Sequence, residues 1–255
     1  MPDSLRGKTI LVLGVANRWS LATAIAHALA REGAALWLTY QAERVQQPVE
    51  DLARELHART AACDVAQDAS IAALFARIGA EAGRLDGVVH SLAFAQKDEL
   101  DRPFLDTSRA GFAQALDISA YSLIPLARAA APLMSAGGAL VTLSYLGATR
   151  YVPNYNVMGV AKAALESAVR YLAGELGPRA IRVNAVSAGP VKTASARAIK
   201  DFSSILDHVA QRAPLRRVPE PAEIADLAAF LLSDAARGVT GDVLFADSGY
   251  HILGV

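Results

Sequence analysis

A tyrosine and a lysine seven residues apart, Tyr155 and Lys162, are the side chains whose types and spacing are best suited to chemistry. On a helix seven residues make two turns, so both side chains would lie on one face with a rise of roughly 10 Å. A tyrosine with its ordinary pKa of about 10 keeps its proton at neutral pH and can donate a hydrogen bond. A nearby ammonium makes that proton easier to give. The pair predicts a proton donor with a cationic neighbour; the alternative is a half-buried tyrosine and a surface lysine on an ordinary helix.

The elements that must position this pair alternate along the whole chain. Short apolar runs typical of buried strands are separated by segments with helical spacing, and Gly33, Gly83 and Pro221 suit helix ends. The predicted strands are Thr9–Leu13, Ala35–Tyr40, Ala61–Cys63, Gly87–His90, Leu140–Ser144, Arg182–Val186 and Val243–Ala246. No linker or repeat divides the chain. The pattern predicts an α/β fold: one domain over residues 1–255, with a doubly wound, Rossmann-like parallel sheet of about seven strands and helices on both faces.

Composition limits the environments and partners of this chain. Apolar residues make up 53% of it, and the 25 basic side chains balance the 25 acidic ones, so no global field favours nucleic acid or an anionic membrane. A single cysteine, Cys63, excludes an internal disulfide and suits a reducing compartment. No apolar run approaches the ~18 residues that a spanning helix needs. We therefore expect a cytoplasmic protein with no nucleic-acid or membrane partner and no metal site.

In a doubly wound sheet, ligands bind outside the carboxyl ends of the strands, which selects the loops to search. Gly14 follows the first strand, and Ser20 precedes the next helix. A glycine turn before a helix N-terminus can approach a pyrophosphate, although the same turn occurs in many proteins that bind no nucleotide. The second strand ends near Gln41, which can bind ribose hydroxyls but offers no charge to a 2′-phosphate. NADH is therefore predicted over NADPH, with the nearby Arg44 as the contrary signal.

The remaining loops carry groups that the rest of a dinucleotide would use. Asp64 could accept from an adenine amino group, with a helix-capping role as the alternative. His90 closes an apolar strand and is interpreted as structural. Val191 could pair with a carboxamide through its backbone, and Thr193 could donate to a pyrophosphate. The segment 193–212 is predicted to be a substrate loop or lid, with a surface helix as the alternative. Taken singly these motifs are weak, but six loops at one sheet edge jointly predict nucleotide binding.

Several motifs together resemble the bacterial NADH-type enoyl-acyl-carrier-protein reductases of the short-chain dehydrogenase/reductase superfamily. The resemblance covers essentially the whole chain, and Tyr155-x6-Lys162 is its specific part, because most ketone-reducing members have Tyr-x3-Lys. The other motifs are Gly14-x5-Ser20-x-Ala22, Ser91-Leu-Ala-Phe-Ala95, Leu143-Ser-Tyr145-Leu-Gly147, Asn154-Tyr155-Asn-Val-Met158 and Ser187-Ala-Gly-Pro190. Two departures are Ala93, where some relatives have Gly and whose methyl narrows the space beside the nicotinamide, and Lys192, where Arg is frequent.

The resemblance implies a reaction, in fatty acid biosynthesis, in which hydride from NADH reaches the β-carbon of a trans-2-enoyl thioester. Tyr155 would donate to the enolate oxygen, Lys162 would hold the nicotinamide ribose, and Tyr145 would lie beside the acyl group. The implied cofactor-binding residues are Gly14, Ser20, Leu21, Gln41, Asp64, Val65, Leu92, Lys162, Val191, Lys192, Thr193, Ala194 and Ser195. The implied substrate-binding residues are Ala95, Tyr145, Tyr155, Met158 and Phe202.

The resemblance also implies partners: a homotetramer and the acyl carrier protein that bears the substrate. The apolar tail 250–255 suits burial at an interface, and Arg197 and Lys200 are candidates for contact with an acidic carrier. Two alternatives stay open from the residues. One is a carbonyl (β-ketoacyl) reductase on the same fold, which the Tyr-x6-Lys spacing disfavours. The other is a non-catalytic NAD-sensing binding protein, which the intact Tyr155 and Lys162 disfavour.

Overall fold

The computed structural model describes residues 3–193 and 201–254. In this part of the chain, seven strands alternate with helices. The strands are β1 Thr9–Leu13, β2 Ala35–Tyr40, β3 Arg59–Ala62, β4 Gly87–His90, β5 Gly138–Tyr145, β6 Ile181–Ala188 and β7 Val243–Ala246. The α-helices are α1 Leu21–Arg31, α2 Glu43–Glu55, α3 Asp68–Ala82, α4 Lys97–Asp101, α5 Arg109–Leu116, α6 Leu123–Ala130, α7 Asn156–Leu176, α8 Phe202–Arg212 and α9 Pro221–Leu232.

The strands form one parallel sheet in the order β3-β2-β1-β4-β5-β6-β7. The strand order reverses between β1 and β4, and such a switch point opens a crevice at the carboxyl ends of the strands. This arrangement confirms the predicted doubly wound α/β fold. It also brings the loops after β1, β4, β5 and β6 to one edge of the sheet.

Alternate residues of the central strands lie in two separate hydrophobic cores, one on each face of the sheet. Ile10 and Val12 of β1 belong to a core with α1, α2 and α9, whereas Leu11 and Leu13 belong to a second core with α3, α6 and α7. Because successive strand residues point to opposite faces, helices on both faces require a strand that is apolar at every position. No helix in the part of the chain that the structure describes is both long and apolar enough to cross a membrane.

Four strands have the bounds that the sequence predicts, and three differ. The edge strand β3 covers Arg59–Ala62 rather than Ala61–Cys63, because its pairing with β2 begins at Arg59 opposite Trp37. Strands β5 and β6 are longer than predicted, since they pair with each other along all eight positions. Ladder hydrogen bonds between distant segments decide these ends, and a local apolar pattern does not contain them.

The predicted helix signals are found where the sequence places them. Gly83 ends α3 in the left-handed conformation, and Pro221 is the first residue of α9. Gly33 lies one residue beyond the C-cap of α1 with φ +87°. Gly33 and Gly83 therefore mark where helices end, and Pro221 marks where one begins.

Candidate active site

Two cavities meet at the carboxyl edge of the sheet. The larger has a volume of about 510 Å³ and the smaller about 330 Å³. They share the lining residues Leu21, Ala93, Phe94, Ser144 and Thr193, so contents of one can reach contents of the other. Both volumes lie in the range of small-molecule and cofactor sites, which is roughly 300–1,000 Å³. Ala93 stands at the junction, where the sequence analysis expects its methyl to narrow the space.

The larger cavity is lined by most of the residues that the sequence analysis assigns to a cofactor. These are Gly14, Ser20, Leu21, Gln41, Val65, Leu92, Lys162 and Thr193, and Arg44 lines it too. Val191 instead lines the smaller cavity. Asp64 and the exposed Lys192 are in neither lining. The predicted Ala194 and Ser195, and the carrier-docking candidates Arg197 and Lys200, lie outside the described residues.

Gly14 lies where the loop after β1 contacts the loop after β4. Its φ is +98°, and a Cβ built there would lie 2.0 Å from the backbone oxygen of Ser91. The predicted neighbour of Gly14 is a pyrophosphate, and that contact stays a prediction. The neighbour that excludes a side chain here is the backbone of the loop after β4. Beside it, Ser20 is the N-cap of α1 and accepts from the backbone N–H of Thr23 at 3.2 Å. Together they leave the helix N-terminus facing the larger cavity.

The Asp64 carboxylate is engaged by its own loop. It accepts from the backbone N–H of Ala66 at 3.1 Å and from the Gln67 side chain at 3.0 Å, which stabilises the turn before α3. Gln41 Nε2 also donates to Asp64 Oδ1 at 3.4 Å. The N-cap of α3 is Gln67, so Asp64 is not that helix's capping residue. Its contact with adenine stays a prediction, whereas Gln41 does face the larger cavity.

The smaller cavity is lined by every residue predicted to bind substrate: Ala95, Tyr145, Tyr155, Met158 and Phe202. Leu100 and Phe94, which the sequence analysis does not assign, complete an apolar wall. Phe202 is the first residue of α8, so the described residues of the predicted substrate loop form a helix from Phe202 onwards. A ligand with an apolar chain fits this lining because its burial needs no hydrogen-bond partners.

Tyr155 lies directly before α7 rather than within it. It is the N-cap residue, so the prediction that Tyr155 and Lys162 lie two turns apart on one helix is wrong by one residue at the N-terminus. The ring packs edge-on against Tyr145, with centroids 4.9 Å apart. A Cβ on Gly147 would lie 2.4 Å from the Tyr155 ring, so glycine at that position admits the ring.

Both tyrosines hold their protons firmly in this structure. Burial, with a smaller effect of Tyr145, raises the pKa of Tyr155 well above its usual value. Burial, Tyr250 and Asp247 raise the pKa of Tyr145 to about 12. The easing of proton loss from Tyr155 by the Lys162 ammonium stays a prediction, because burial and Tyr145 set the pKa of Tyr155 in the protein alone. At neutral pH both hydroxyls can donate to a ligand oxygen.

Lys162 is a buried ammonium at the inner wall of the larger cavity. Its Nζ donates to the backbone oxygen of Leu143 at 2.8 Å and to that of Leu92 at 3.3 Å. Burial lowers the pKa of Lys162 to about 8, against a raising effect of Glu166. One carbonyl belongs to β5 and the other to the loop after β4, so the ammonium is fixed at the carboxyl edge of the sheet with one donor left for a ligand.

The larger cavity fits a dinucleotide. Its polar lining offers hydroxyl, amide and ammonium donors from Ser20, Gln41 and Lys162, and the glycine turn at Gly14 keeps its floor free of side chains. Donors of this kind suit ribose and phosphate oxygens. Among the described residues, no group of three or more histidine, cysteine or acidic side chains could hold a metal ion.

Two buried polar groups near the site were not assigned from the sequence. Ser144, at the cavity junction, donates to the buried Glu166 at 2.5 Å, and Glu166 follows Lys162 by one helical turn. The four-residue spacing between Lys162 and Glu166 predicts that both side chains lie on one helix face. A local pattern does not identify Ser144 as the hydrogen-bond partner of Glu166. His90, interpreted as structural, is fully buried between Thr142 and Ser122, at 2.8 Å from each hydroxyl. Burial lowers its pKa to about 3, so it is neutral.

Comparison with known proteins agrees with this geometry. A family model described as Enoyl-(Acyl carrier protein) reductase matches residues 14–251. The enoyl-acyl-carrier-protein reductase (NADH) FabI of Bacillus cereus is 51% identical over 255 residues, covering 99% of this chain and 100% of that protein. FabI of Escherichia coli is 47% identical over 250 residues, covering 97% of this chain and 95% of that protein.

Solved structures are similar over the same span. The Bacillus cereus reductase, crystallised with NADP+ and indole naphthyridinone, has a TM-score of 0.98 at 51% identity and covers 100% of both chains. The Anaplasma phagocytophilum reductase with NAD has a TM-score of 0.97 at 44% identity and covers 100% of this chain and 98% of that one. Because the family model and full-length relatives agree with the site, the chain belongs to the enoyl-acyl-carrier-protein reductase family.

Proposed function

We propose that the protein reduces the carbon–carbon double bond of a trans-2-enoyl thioester on acyl carrier protein, with NADH, in fatty acid biosynthesis. Family membership and the names of its full-length relatives support this activity. The observation that carries it is the meeting of two cavities: Tyr155 lines the apolar one and Lys162 lines the polar one. A hydride donor and an acyl acceptor therefore have adjoining places, with a proton donor beside them.

Each proposed role follows from what the side chain touches. When bound, NADH supplies the hydride. Lys162, fixed by two carbonyls, holds the nicotinamide ribose with its remaining donor. Tyr155 keeps its proton and donates to the thioester oxygen, where negative charge develops as the double bond is reduced. A donor placed at such an oxygen contributes on the order of 3 kcal/mol to the barrier. Tyr145 holds the Tyr155 ring by edge-on contact and faces the same cavity.

The remaining assignments complete the two binding sites. Ala95 contacts the thioester through its backbone, and Met158 and Phe202 cover the acyl chain. The proposed lid is the described part of the segment 193–212 that begins with Phe202, the first residue of α8, at the wall of this cavity. Val191 pairs with the nicotinamide carboxamide, Lys192 and Thr193 lie along the pyrophosphate, and Asp64 and Val65 flank the adenine. NADH is preferred over NADPH because Gln41 brings no charge to the ribose end; Arg44, which lines the same cavity, supports weaker use of NADPH.

The pKa of Lys162 sets an expected pH dependence. Below about pH 8 the ammonium is present and can hold the ribose; above it the amine is neutral and binds more weakly. We expect kcat/KM for NADH, which reports the free enzyme, to fall as the pH rises through about 8. The measurement is a pH–rate profile of the parent and of Lys162→Arg. Arginine stays charged over this range, so the descending limb should be absent in the variant, whatever its absolute rate. An unchanged limb in Lys162→Arg would exclude Lys162 as its source.

A turnover panel tests substrate and cofactor together. Trans-2-enoyl thioesters of increasing chain length are assayed with NADH and with NADPH, and the expected result is turnover with NADH that exceeds turnover with NADPH. The matched variant Arg44→Gln removes a cation that lines the larger cavity and lies three positions after Gln41, the residue proposed for the adenosine ribose. It should lower kcat/KM for NADPH more than for NADH. Binding of NADH without turnover of any thioester would favour a sensing protein instead.

We also propose a cytoplasmic homotetramer that meets acyl carrier protein at the cavity entrance. Large apolar side chains remain exposed, among them Leu105 at 94%, Tyr171 at 80% and Ile252 at 67%, and an assembly would cover them. Ile252 belongs to the tail for which the sequence suggests burial at an interface. Light scattering after gel filtration should give four times the 26.8 kDa chain mass. A monomer at micromolar concentration would contradict the assembly.

A further inference from the structure

Two asparagines flank Tyr155, and both have backbone conformations that residues other than glycine rarely adopt. Asn154 has φ +65° and Asn156 has φ +42°, whereas Tyr155 between them has φ −86°. A left-handed backbone is costly for most residues, and asparagine is among those that tolerate it best. Such conformations persist only where the surrounding structure holds them in place. The orientation of the Tyr155 side chain therefore depends on the contacts that hold Asn154 and Asn156.

The contacts of Asn156 identify one such restraint. Its Nδ2 donates to the backbone oxygen of Leu100 at 2.9 Å and to that of Arg102 at 2.8 Å. Both carbonyls lie at the C-terminal end of α4, where a helix has no further N–H groups of its own to satisfy them. Asn156 thus uses both amide hydrogens to cap a short helix that is distant in sequence.

The capped helix forms part of the acyl-side wall. Leu100 is buried and lines the smaller cavity with Tyr155. On its other side, α4 is held by the buried Glu99, whose carboxylate accepts from the N–H and hydroxyl of Ser108 at 3.1 and 2.5 Å. Five residues make too short a helix to hold its place without such contacts. Asn156 is therefore a direct link between the residue before it, Tyr155, and the cavity wall.

We propose that Asn156 is a positioning residue that sets the Tyr155 hydroxyl against the acyl-cavity wall at Leu100, and so contributes to selectivity for longer acyl chains. The inference rests on the proposed enoyl reductase activity and assigns a source of its substrate selectivity. In this proposal a long chain gains contact with Leu100, which lines the cavity, and a chain too short to reach it does not. Loss of the Asn156 amide should accordingly penalise long chains most.

The test compares variants that separate the backbone role from the amide role. Asn156→Gly keeps the left-handed backbone but removes the amide, Asn156→Ala removes both, and Asn156→Asp keeps the size but places a carboxylate against two carbonyl oxygens. The substrates are trans-2-butenoyl and trans-2-dodecenoyl coenzyme A thioesters. We expect Asn156→Gly and Asn156→Asp to lower the dodecenoyl-to-butenoyl ratio of kcat/KM by about tenfold, mainly through KM, because two carbonyls lose their donor.

Backbone strain gives a second, separable readout. Asn156→Ala should lower kcat for both thioesters below that of Asn156→Gly, because alanine is strained at φ +42° and moves Tyr155. Ser108→Ala tests the wall by itself: it loosens α4 through Glu99 and should lower the chain-length ratio without lowering kcat for butenoyl thioester. An unchanged ratio in Asn156→Gly and Asn156→Asp, whatever their melting temperatures, would overturn the role of Asn156 alone. Absence of enoyl turnover in the parent would overturn the proposed function and this inference with it.

Discussion

Replacing Tyr155 by phenylalanine is expected to lower kcat by about 100-fold or more, the value of a donor at a developing oxyanion. The change removes one hydroxyl and keeps the ring, so the edge-on contact with Tyr145 survives. Tyr155 lines the smaller cavity and is not in the lining of the larger one. The dissociation constant for NADH should therefore stay at the parental value, as measured by fluorescence titration beside steady-state kinetics.

Two further tyrosine variants sharpen this result. Tyr121→Phe makes the same change at an exposed position outside both cavities and should leave kcat at the parental value. Tyr145→Phe should cost less than Tyr155→Phe, because its ring contact with Tyr155 remains and the donor itself is intact. If Tyr155→Phe reduces enoyl thioester at the parental rate, Tyr155 is not the donor.

Gly14→Ala is expected to be the most destabilising of the substitutions considered at this edge of the sheet. Alanine there is strained at φ +98°, and its Cβ would lie 2.0 Å from the Ser91 oxygen and 2.7 Å from the Ser91 carbonyl carbon. Backbone strain and overpacking together cost roughly 2–6 kcal/mol. The contact is backbone against side chain, so no rotamer change relieves it. The loops after β1 and β4 must move apart, and NADH affinity should fall with stability.

Gly83→Ala is the control for this prediction. Gly83 also has a left-handed backbone, φ +71°, but a Cβ there meets nothing within 4 Å. It should cost about 1 kcal/mol from strain alone and leave NADH binding unchanged. Melting temperatures of the parent and both variants measure the difference. A loss for Gly14→Ala no larger than that for Gly83→Ala would show that the Ser91 contact does not constrain the fold.

Where a local pattern decides the structure, the sequence predicts it well. The bounds of β1, β2, β4 and β7 are correct because those strands are continuous apolar runs. The rule that ligands bind at the carboxyl ends of parallel strands then brings Tyr155 and Phe202, 47 positions apart in the chain, to one cavity. This prediction does not require knowing which strands pair with each other.

Where a distant partner decides the structure, the sequence is silent. Glu166 is buried against Ser144, 22 residues away, and Asn156 caps a helix 56 residues away. The sequence predicts a pyrophosphate beside Gly14 but not the contact with Ser91, which comes from another loop. The raised pKa of Tyr155 likewise comes from burial, a property of the whole fold that a local pattern does not contain.

The most direct test of the proposed reaction compares two thioesters of equal chain length, one trans-2-enoyl and one β-ketoacyl, with NADH and the parent enzyme. With Tyr155 in its proposed role as donor to a conjugated thioester oxygen, kcat/KM should be at least about tenfold higher for the enoyl thioester, a difference of ~1.4 kcal/mol in barrier. The product should be the saturated acyl thioester. Faster turnover of the β-ketoacyl thioester, with a β-hydroxyacyl product, would contradict the assignment and identify a carbonyl reductase on the same fold.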